Sequence, residues 1–326
     1  MKLQTSDVFE AMAYDMRLVD QRITAAATID YPIVSSLIQD IVSAGGKRMR
    51  PMILLLAARS FTYDRDRAVT AAAGVELLHT ASLVHDDSID RAALRRGQPT
   101  LNTQLSSGAV ILIGDFLFAQ SAVLAAATRD ARVVAIFAHS LAEICDGQIR
   151  ETLDAHRLSQ DRADYERRIY GKTAALFAGA AEMGAVIGGA REPEIDNLRG
   201  FGKDLGMAFQ ILDDILDLRE GTQVLGKPAG NDIRQGVVTL PTMIFAENAG
   251  RDLLATLEGV VSGDITADAA IDDLIAEIRL SGALEAAERR AQDFADSARD
   301  RLAMVPHAET RGYLDDLLHL TLNRSA

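Results

Sequence analysis

The sequence predicts an all-α protein built as a bundle of long antiparallel helices. Long segments rich in alanine and leucine dominate the 326-residue chain, and their apolar residues recur with helical spacing. Alternating runs of β-branched residues bounded by turns, which predict strands, are absent from the sequence. No linker rich in proline or serine, no low-complexity tail and no short-period repeat divides the chain. We therefore expect one domain over residues 1–326.

Breaks in the helical pattern fix where the helices begin and end. The main breaks are two glycine pairs, Gly45–Gly46 and Gly188–Gly189, the polar stretch 91–100 and the segment 220–238. The last of these holds four glycines and a proline, which indicates a loop of the kind that often carries function. The predicted helices are 6–28, 32–43, 50–61, 66–89, 101–106, 109–127, 130–153, 161–187, 193–218, 241–248, 265–276, 279–303 and 309–322.

The charge balance argues against nucleic acid as a partner. The formal net charge is −13, whereas binding to nucleic acid through counterion release requires clustered lysine and arginine. An acidic protein that binds anions must concentrate its basic residues locally or recruit metal ions.

Cysteine content and the N-terminal residues favour a cytoplasmic protein. Cys145 is the single cysteine, so no internal disulfide can form. It lies in the apolar pattern IFAHSLAEIC, and we expect it to be a buried structural thiol. The first residues, MKLQTSDVFEAMAYD, lack the apolar core of a signal peptide.

Two apolar stretches, 108–127 and 173–190, approach the length of a membrane span. The polar residues Asp115 and Gln120 interrupt the first stretch, and Glu182 interrupts the second. We expect both to be helices buried within a large helical protein, and no transmembrane segment.

Two acidic clusters end apolar helices, the first in LLHTASLVHDDSID and the second in GMAFQILDDILDL. Each has the spacing D-D-x-x-D, which places its first and last carboxylates on one helix face. The end of a helix already carries partial negative charge, so a cation would relieve the repulsion among these groups. Magnesium suits such a site because it prefers one or two carboxylates together with water and phosphate oxygens. The six carboxylates are Asp86, Asp87, Asp90, Asp213, Asp214 and Asp217.

Two simpler interpretations of the acidic clusters are less favoured. A pair of solvated acidic helix ends is the first, and the recurrence of the spacing after a second apolar helix disfavours it. A calcium-binding loop is the second, and it fails because neither cluster continues into a glycine-containing twelve-residue loop.

Basic residues are concentrated in short segments. The segment GGKRMRP places Lys47, Arg48 and Arg50 beside a glycine-rich turn and a helix start, an arrangement that suits a phosphate or, alternatively, a solvated turn. Arg95 and Arg96 follow the first acidic cluster and can offer fork-shaped donors to phosphate oxygens.

Further polar residues lie near the clusters. Lys172 and Thr173 begin an apolar helical stretch, and Gln210 shares a helix face with the second cluster. Lys227 lies in the long loop that follows. His79 lies two turns before Asp86, where a core histidine and a phosphate donor are both possible.

The motifs together resemble the trans-polyprenyl diphosphate synthases, the family of farnesyl, geranylgeranyl and longer-chain synthases. The resemblance runs from about Gly45 to Pro241, and the helical tail also fits. The motifs in chain order are GGKRMRP, LVHDDSID, RRGQPT, GKTAALF, GMAFQILDDILD and GKPAGNDIRQGVVTLP.

The resemblance implies an isoprenoid-synthase-type bundle around a central cavity, usually as a homodimer. It also implies a magnesium-dependent prenyltransferase that condenses isopentenyl diphosphate head to tail with an allylic diphosphate. Asp86, Asp90 and Asp213 would bind magnesium, three ions per active site with substrate bound, and the other three cluster carboxylates would support them. Isopentenyl diphosphate would be held by Lys47, Arg50, His79 and Arg96. The allylic diphosphate would be held by Arg95, Lys172, Thr173, Gln210 and Lys227, with Lys172 also in the catalytic set.

The chain departs from the family pattern in two places. Many relatives carry a lysine ten residues after Lys227, where this chain has Val237. Gln98 stands in RRGQPT where lysine is common. The first departure removes one expected contact with the allylic diphosphate.

Product length depends on the channel that receives the growing apolar chain. One turn before Asp86 the chain has two small residues, Ala81 and Ser82, where short-chain relatives usually place an aromatic residue. Leu78 lies lower on the same helix, and Phe116 and Phe118 on the following helix could floor a deeper channel. We therefore expect an octaprenyl to decaprenyl product. The alternative, in which the two small residues only pack helices together, would permit a farnesyl or geranylgeranyl product.

Two other functions compete with this one. A terpene cyclase or a head-to-head synthase shares metal-bound diphosphates but needs no second cationic site for isopentenyl diphosphate, which Lys47 and Arg50 would form. A non-catalytic subunit of a heteromeric synthase should lack one acidic cluster, whereas this chain keeps both.

Overall fold

The computed structural model describes residues 6–44, 46–95, 97–219 and 229–322. The chain forms two compact units. Unit 1 comprises Met1–Leu141, Leu176–Gly202 and Arg299–His319, and unit 2 comprises Ala142–Ala175, Lys203–Ala298 and Leu320–Ala326. The expectation of a single domain stays a prediction.

The all-α prediction is confirmed, because helices account for nearly all regular structure in the described residues. Most predicted helix bounds agree with the observed ones to within about three residues. The helices are α1 (Ser6–Ala26), α2 (Pro32–Ser43), α3 (Met49–Arg59), α4 (Arg65–Ile89), α5 (Ser107–Ala127), α6 (Ala131–Asp154), α7 (Arg162–Ile169), α8 (Ala175–Ile187), α9 (Glu192–Arg219), α10 (Asn231–Arg234), α11 (Leu240–Asn248), α12 (Arg251–Ser262), α13 (Asp268–Leu280), α14 (Ala283–Arg301) and α15 (Ala308–Leu322).

Several local features differ from the sequence prediction. Strands β1 (Leu94–Arg95) and β2 (Gln98–Pro99) form a small antiparallel hairpin where no strand was expected. Two-residue strands are too short to show an alternating pattern, and Gly97 supplies the positive φ of 75° at their turn. The predicted helix 101–106 is a 3-10 turn at Leu101–Thr103. Helices α10 and α12 were not predicted, although the buried residues of α12 recur at helical spacing.

Unit 1 is built around α3 and α4. Helix α3 is buried along most of its length, and α4 packs against α1, α3 and α5. A methyl group on Gly74 of α4 would lie 3.2 Å from the Ser121 carbonyl oxygen of α5, and one on Gly114 of α5 would lie 2.2 Å from His85 Nε2 of α4. Helices α4 and α5 therefore run antiparallel and in close contact.

Unit 2 has a core of large apolar side chains drawn from several of its helices, among them Tyr165, Ile211 and Phe245. A π-helical turn, Tyr170–Ala174, joins α7 to α8. Helix α6 approaches this turn so closely that a methyl group on Gly147 would lie 2.3 Å from the Lys172 backbone nitrogen. Turns of this kind often mark functional sites.

Cys145 is exposed on α6, so the expected buried thiol is wrong. The reason is rotational: Ile144 of the same turn is buried, and Cys145 points 100° away from it. Burial of part of the side chain nevertheless raises the pKa of the Cys145 thiol.

Helix α5 has the length and apolar composition of a membrane span, alone among the described helices. One face, which includes Val110, Leu117 and Ser121, is buried. The opposite face exposes Ile111 and Leu112. The expectation of no transmembrane segment stays a prediction.

Candidate active site

The first acidic cluster lies in unit 1 at the end of α4. Asp86 is half-buried, Asp90 is exposed, and the Asp90 backbone N–H donates to the Asp86 carbonyl at 2.8 Å. Asp87 is buried, at 8% exposure. Its carboxylate accepts a hydrogen bond from Arg95 Nε at 2.8 Å, and its backbone carbonyl accepts one from Asn102 at 2.6 Å. The structure thus brings Arg95 to the first cluster, as an ion-pair partner of the middle carboxylate.

The other predicted diphosphate contacts of unit 1 surround the start of α3 and the middle of α4. Lys47 is exposed, and the Arg50 guanidinium lies 4.3 Å from the centroid of the Phe177 ring. His79 is half-buried. Arg96 lies outside the described residues.

Arg48 has a different role from its neighbours Lys47 and Arg50. Its guanidinium pairs with the buried Glu76 carboxylate at 2.8 Å and donates to the Val42 carbonyl at 2.6 Å. Arg48 therefore stabilises the turn that presents the two neighbouring cations.

The predicted channel residues differ in exposure. Ala81 and Leu78 have no accessible surface, whereas Ser82 and Phe116 are half-buried. Phe118 contacts the His85 ring at 5.0 Å between centroids. Its place at the floor of a deeper channel stays a prediction, as do the roles of the other four residues.

The second cluster lies in unit 2 near the end of α9. Asp213 is exposed and Asp214 is buried. The Tyr165 hydroxyl donates to one Asp214 carboxylate oxygen at 2.7 Å, and Gln210 Nε2 donates to the other at 2.8 Å. Thr173 in turn donates to Gln210 Oε1 at 2.6 Å. A continuous chain of hydrogen bonds therefore joins the π-helical turn to the second cluster.

Burial raises the pKa of Asp214 to about 7. Hydrogen bonds from Tyr165 and Gln210 lower this pKa, and the negative charge of Asp213 raises it. Burial and the neighbouring Asp214 also raise the pKa of the Tyr165 hydroxyl well above its ordinary value. Tyr165 therefore stays protonated and acts as a donor.

Asp217, the last carboxylate of the second cluster, caps a short helix. Its two carboxylate oxygens accept the backbone N–H groups of Asn231 and Asp232, each at 3.1 Å, at the start of α10. Burial raises the pKa of Asp232 well above its ordinary value, and the negative charges of Asp217 and Asp214 add smaller increases. The D-D-x-x-D spacing gave no sign of this capping role, which depends on α10.

Lys172 forms an ion pair with Glu151 of α6. Lys227 lies outside the described residues. Val237, where many relatives have lysine, is half-buried, and its backbone N–H donates to the Asp232 carbonyl at 2.9 Å.

Three residues at the second cluster are not predicted by the sequence patterns. Tyr165 and Glu151 stand outside every motif, and only packing places them there. Asp232 stands inside GKPAGNDIRQGVVTLP, so its position in that motif was the one available signal.

The donor set suits magnesium at both clusters. Asp86, Asp90 and Asp213 offer carboxylate oxygens, the hard ligands that magnesium prefers, with water and phosphate oxygens completing its shell. Within the described ranges, no three His, Cys, Asp or Glu side chains come close enough to hold a metal ion by themselves. That two clusters face one cavity, and that these carboxylates hold the metal, stay predictions.

A family model for polyprenyl synthetases matches residues 31–278. The chain belongs to the polyprenyl synthetase family. It is 35% identical over 311 residues to an octaprenyl diphosphate synthase of Haemophilus influenzae, covering 95% of this chain and 94% of that protein. It is 38% identical over 317 residues to heptaprenyl diphosphate synthase component 2 of Geobacillus stearothermophilus, covering 97% of each.

A solved structure gives the same family assignment. The polyprenyl synthase of Caulobacter crescentus, complexed with calcium and isoprenyl diphosphate, superposes with a TM-score of 0.94 at 35% identity. The match covers 100% of this chain and 99% of that chain. As a polyprenyl synthetase, the protein is a prenyltransferase, and its fold is the isoprenoid-synthase type that the resemblance implied.

Proposed function

We propose that this chain is an all-trans polyprenyl diphosphate synthase that condenses isopentenyl diphosphate head to tail with an allylic diphosphate. The observation that carries the proposal is the pair of D-D-x-x-D clusters in a member of this family, each with its middle carboxylate buried and hydrogen-bonded. The names of the octaprenyl and heptaprenyl relatives support a long product, and we place it in the octaprenyl to decaprenyl range.

The carboxylates at the two clusters would hold magnesium, three ions per active site with substrate bound. Asp86, Asp90 and Asp213 would be direct ligands, supported by their neighbours in each cluster. When bound, magnesium neutralises the diphosphate and makes it a better leaving group. The calcium and isoprenyl diphosphate in the Caulobacter crescentus protein support a divalent cation and an isoprenoid diphosphate as ligands.

The basic and amide side chains would hold the two substrates in separate places. Such positioning brings the double bond of isopentenyl diphosphate to the allylic carbon from which diphosphate departs. The site must exclude water, because water would otherwise trap the allylic cation. The proton lost afterwards would go to the released pyrophosphate. Lys47, Arg50, His79 and Arg96 would bind isopentenyl diphosphate, and Arg95, Lys172, Thr173, Gln210 and Lys227 would bind the allylic diphosphate.

Two of these cations already have carboxylate partners. Arg95 pairs with Asp87, and Lys172 pairs with Glu151. These ion pairs hold each cation in place before the substrate arrives, and a diphosphate would share or replace the carboxylate as its partner. Positioning of this kind reduces the ordering that binding requires.

We propose a homodimer that uses the outer face of α5. That face exposes Ile111, Leu112 and Val123, with Leu112 at 68% exposure. Large apolar side chains exposed on one helix are typical of an interface between subunits. It also explains the apolar composition of α5 without a membrane span, and we propose a cytoplasmic protein that does not bind nucleic acid.

The proposal is tested by product analysis with the pure chain. The protein is incubated with magnesium chloride, isopentenyl diphosphate and, in turn, dimethylallyl, geranyl, farnesyl or geranylgeranyl diphosphate. We expect products of eight to ten isoprene units, in line with the predicted range. Products no longer than four units would contradict the long-chain assignment, and a cyclic hydrocarbon would indicate a terpene cyclase instead.

One relative is named as a component of a synthase, and this favours a second candidate. In that candidate the chain is the catalytic partner in a two-component enzyme, because it keeps both acidic clusters. Activity of the purified single chain would exclude a requirement for a second component. Activity that appears only after addition of a lysate from the source cells would support one.

A further inference from the structure

His85 is the residue immediately before the first acidic cluster, and its ring lies against α5. The ring nitrogen Nε2 is 3.1 Å from the Ile111 carbonyl oxygen and 3.4 Å from Asp115 Oδ1. The Phe118 ring covers the imidazole, tilted by 60°. Because a carbonyl oxygen only accepts, Nε2 carries the proton and donates.

Gly114 leaves the space that the ring occupies. A methyl group built there would lie 2.2 Å from His85 Nε2 and 2.3 Å from Cδ2. The three atoms nearest to that methyl group all belong to His85. Gly114 and His85 thus form one complementary contact between two helices.

The contact of His85 with α5 and the contacts of Asp87 with Arg95 and Asn102 lie on opposite sides of Asp86. Successive residues of an α-helix point 100° apart, so residues 85 and 87 flank residue 86. His85 is fixed on α5, and Asp87 is fixed by Arg95 and Asn102. The last turn of a helix lacks part of its backbone hydrogen bonding and frays readily. Two contacts on opposite flanks therefore restrain that turn.

We propose that His85 and Gly114 are a positioning pair that fixes the direction in which Asp86 and Asp90 point. The inference rests on the proposed function, since it concerns how those carboxylates meet a metal-bound diphosphate. The His85 ring faces α5, so His85 would act through its neighbours as a positioning residue. The exposed side chains of Ile111 and Leu112 belong to the same turn of α5, so the face proposed as the subunit interface adjoins this contact.

The test compares four single variants. His85→Leu removes the donor and keeps bulk, whereas His85→Gln keeps an amide donor at a similar reach. Gly114→Ala displaces the ring without altering His85. Gly108→Ala is the matched control. Gly108 lies on the same helix as Gly114, but a methyl group there would meet no atom within 4 Å.

Two quantities are measured for each variant: the magnesium concentration that gives half the maximal rate, and the rise in Tm caused by magnesium chloride with inorganic pyrophosphate. The second measurement requires no turnover. For His85→Leu and Gly114→Ala we expect the magnesium midpoint to rise roughly 10- to 100-fold, as for loss of a group that orients a metal ligand. The rise in Tm should shrink in the same two variants. His85→Gln should lie closer to the wild type, and Gly108→Ala should match it.

A double variant separates positioning from general damage. In the His85→Ala background, Gly114→Ala should change neither quantity further, because the ring that it would displace is gone. A lowered Tm with an unchanged magnesium midpoint would show that the contact is only structural and would overturn the proposal. So would additive effects in the double variant.

A failure of the proposed function can be distinguished from a failure of the positioning proposal. A wild-type protein that makes no polyprenyl diphosphate would refute that function. The rise in Tm with magnesium and pyrophosphate would still decide whether His85 and Gly114 position the carboxylates.

Discussion

At the scale of single residues, the middle aspartates of the two clusters are more buried than the others. Asp87 and Asp214 are both buried, and each is held by a neighbour: Arg95 for the first, Tyr165 and Gln210 for the second. An unsatisfied carboxylate in such a place would be destabilising, so these donors stabilise the fold as well as the geometry of the clusters. The second aspartate of each D-D-x-x-D cluster therefore has a structural role and holds its helix end in place.

Removal of the Tyr165 hydroxyl tests that conclusion. Tyr165→Phe keeps the ring but leaves one Asp214 oxygen buried without its donor, which costs about 1–3 kcal/mol in the free energy of unfolding. We also expect kcat to fall, since Asp214 lies next to Asp213. Chemical denaturation and steady-state kinetics measure the two effects.

Tyr313→Phe is a suitable control for that substitution. The Tyr313 hydroxyl donates to Glu309, four residues away on α15, at 3.1 Å. Loss of this bond should change the free energy of unfolding by less than about 1 kcal/mol and leave kcat unchanged. Equal effects of the two substitutions would contradict a special role for Tyr165.

Substitution one turn before Asp86 tests the determinant of product length. Ser82 is half-buried whereas Ala81 has no accessible surface, so a ring at position 82 should displace fewer neighbouring atoms than one at position 81. Ser82→Phe should shorten the product with little change in Tm. Ala81→Phe should shorten it as well, but overpacking should destabilise the fold by about 1–3 kcal/mol. Chain-length analysis of the products is the measurement, and unchanged products from both variants would contradict the first-layer argument.

At the scale of elements, close helix contacts in unit 1 depend on glycine. A methyl group on Gly184 of α8 would lie 2.2 Å from the Leu54 carbonyl oxygen of α3 and 2.8 Å from the Ala57 side chain. Backbone atoms cannot move aside as a flexible side chain can. The apolar stretch 173–190 showed that this segment would be buried, but not which of its glycines touches another backbone.

Gly184→Ala should therefore destabilise unit 1. The helices must separate to admit the methyl group, and we expect a loss of about 1–3 kcal/mol in the free energy of unfolding. Urea denaturation followed by circular dichroism measures it. Gly108→Ala on α5, which meets open space, should be neutral or stabilising; a similar loss at both positions would refute the contact.

Helix α8 also carries a carboxylate whose protonation should affect stability. Burial raises the pKa of Glu182 above its ordinary 4.5, and Arg199, 4.0 Å away, offsets only part of this. The folded protein therefore holds the proton more tightly than the unfolded chain, and stability falls as pH rises from 4.5 through the folded pKa. Glu182→Gln lacks this loss, so its Tm relative to the wild type should increase from about pH 4 to about pH 8.

Glu194→Gln should show the opposite sign. Hydrogen bonds from the Arg191 side chain and backbone lower the pKa of Glu194, so its stabilising effect is present above the ordinary pKa and is lost as pH falls. The Tm of this variant should lie below that of the wild type at neutral pH and approach it at acid pH. If the Tm difference from the wild type changed with pH in the same direction for both variants, the burial of Glu182 would have no effect on the pH dependence of stability.

At the scale of the whole molecule, the proposed dimer explains why α5 is apolar on both faces. Its inner face contacts α4 within unit 1, and its outer face exposes Leu112 and Val123. Leu112→Glu should place a charge in the subunit interface and convert the dimer to a monomer, as measured by light scattering coupled to size exclusion. Ile33→Glu on α2, at a similarly exposed apolar residue, should leave the dimer intact. A wild-type monomer would contradict the proposed dimer.

The sequence by itself determined the helical class, most helix bounds, both acidic clusters and the family. These depend on periodicity and on spacing within a single helix or motif, which are local properties of the chain. The tertiary structure decided which side chains support the clusters. Tyr165 reaches Asp214 across 49 positions of sequence, Glu151 reaches Lys172 across 21, and His85 meets Gly114 on another helix. No local pattern encodes such pairs, because they arise only when separate helices pack against one another.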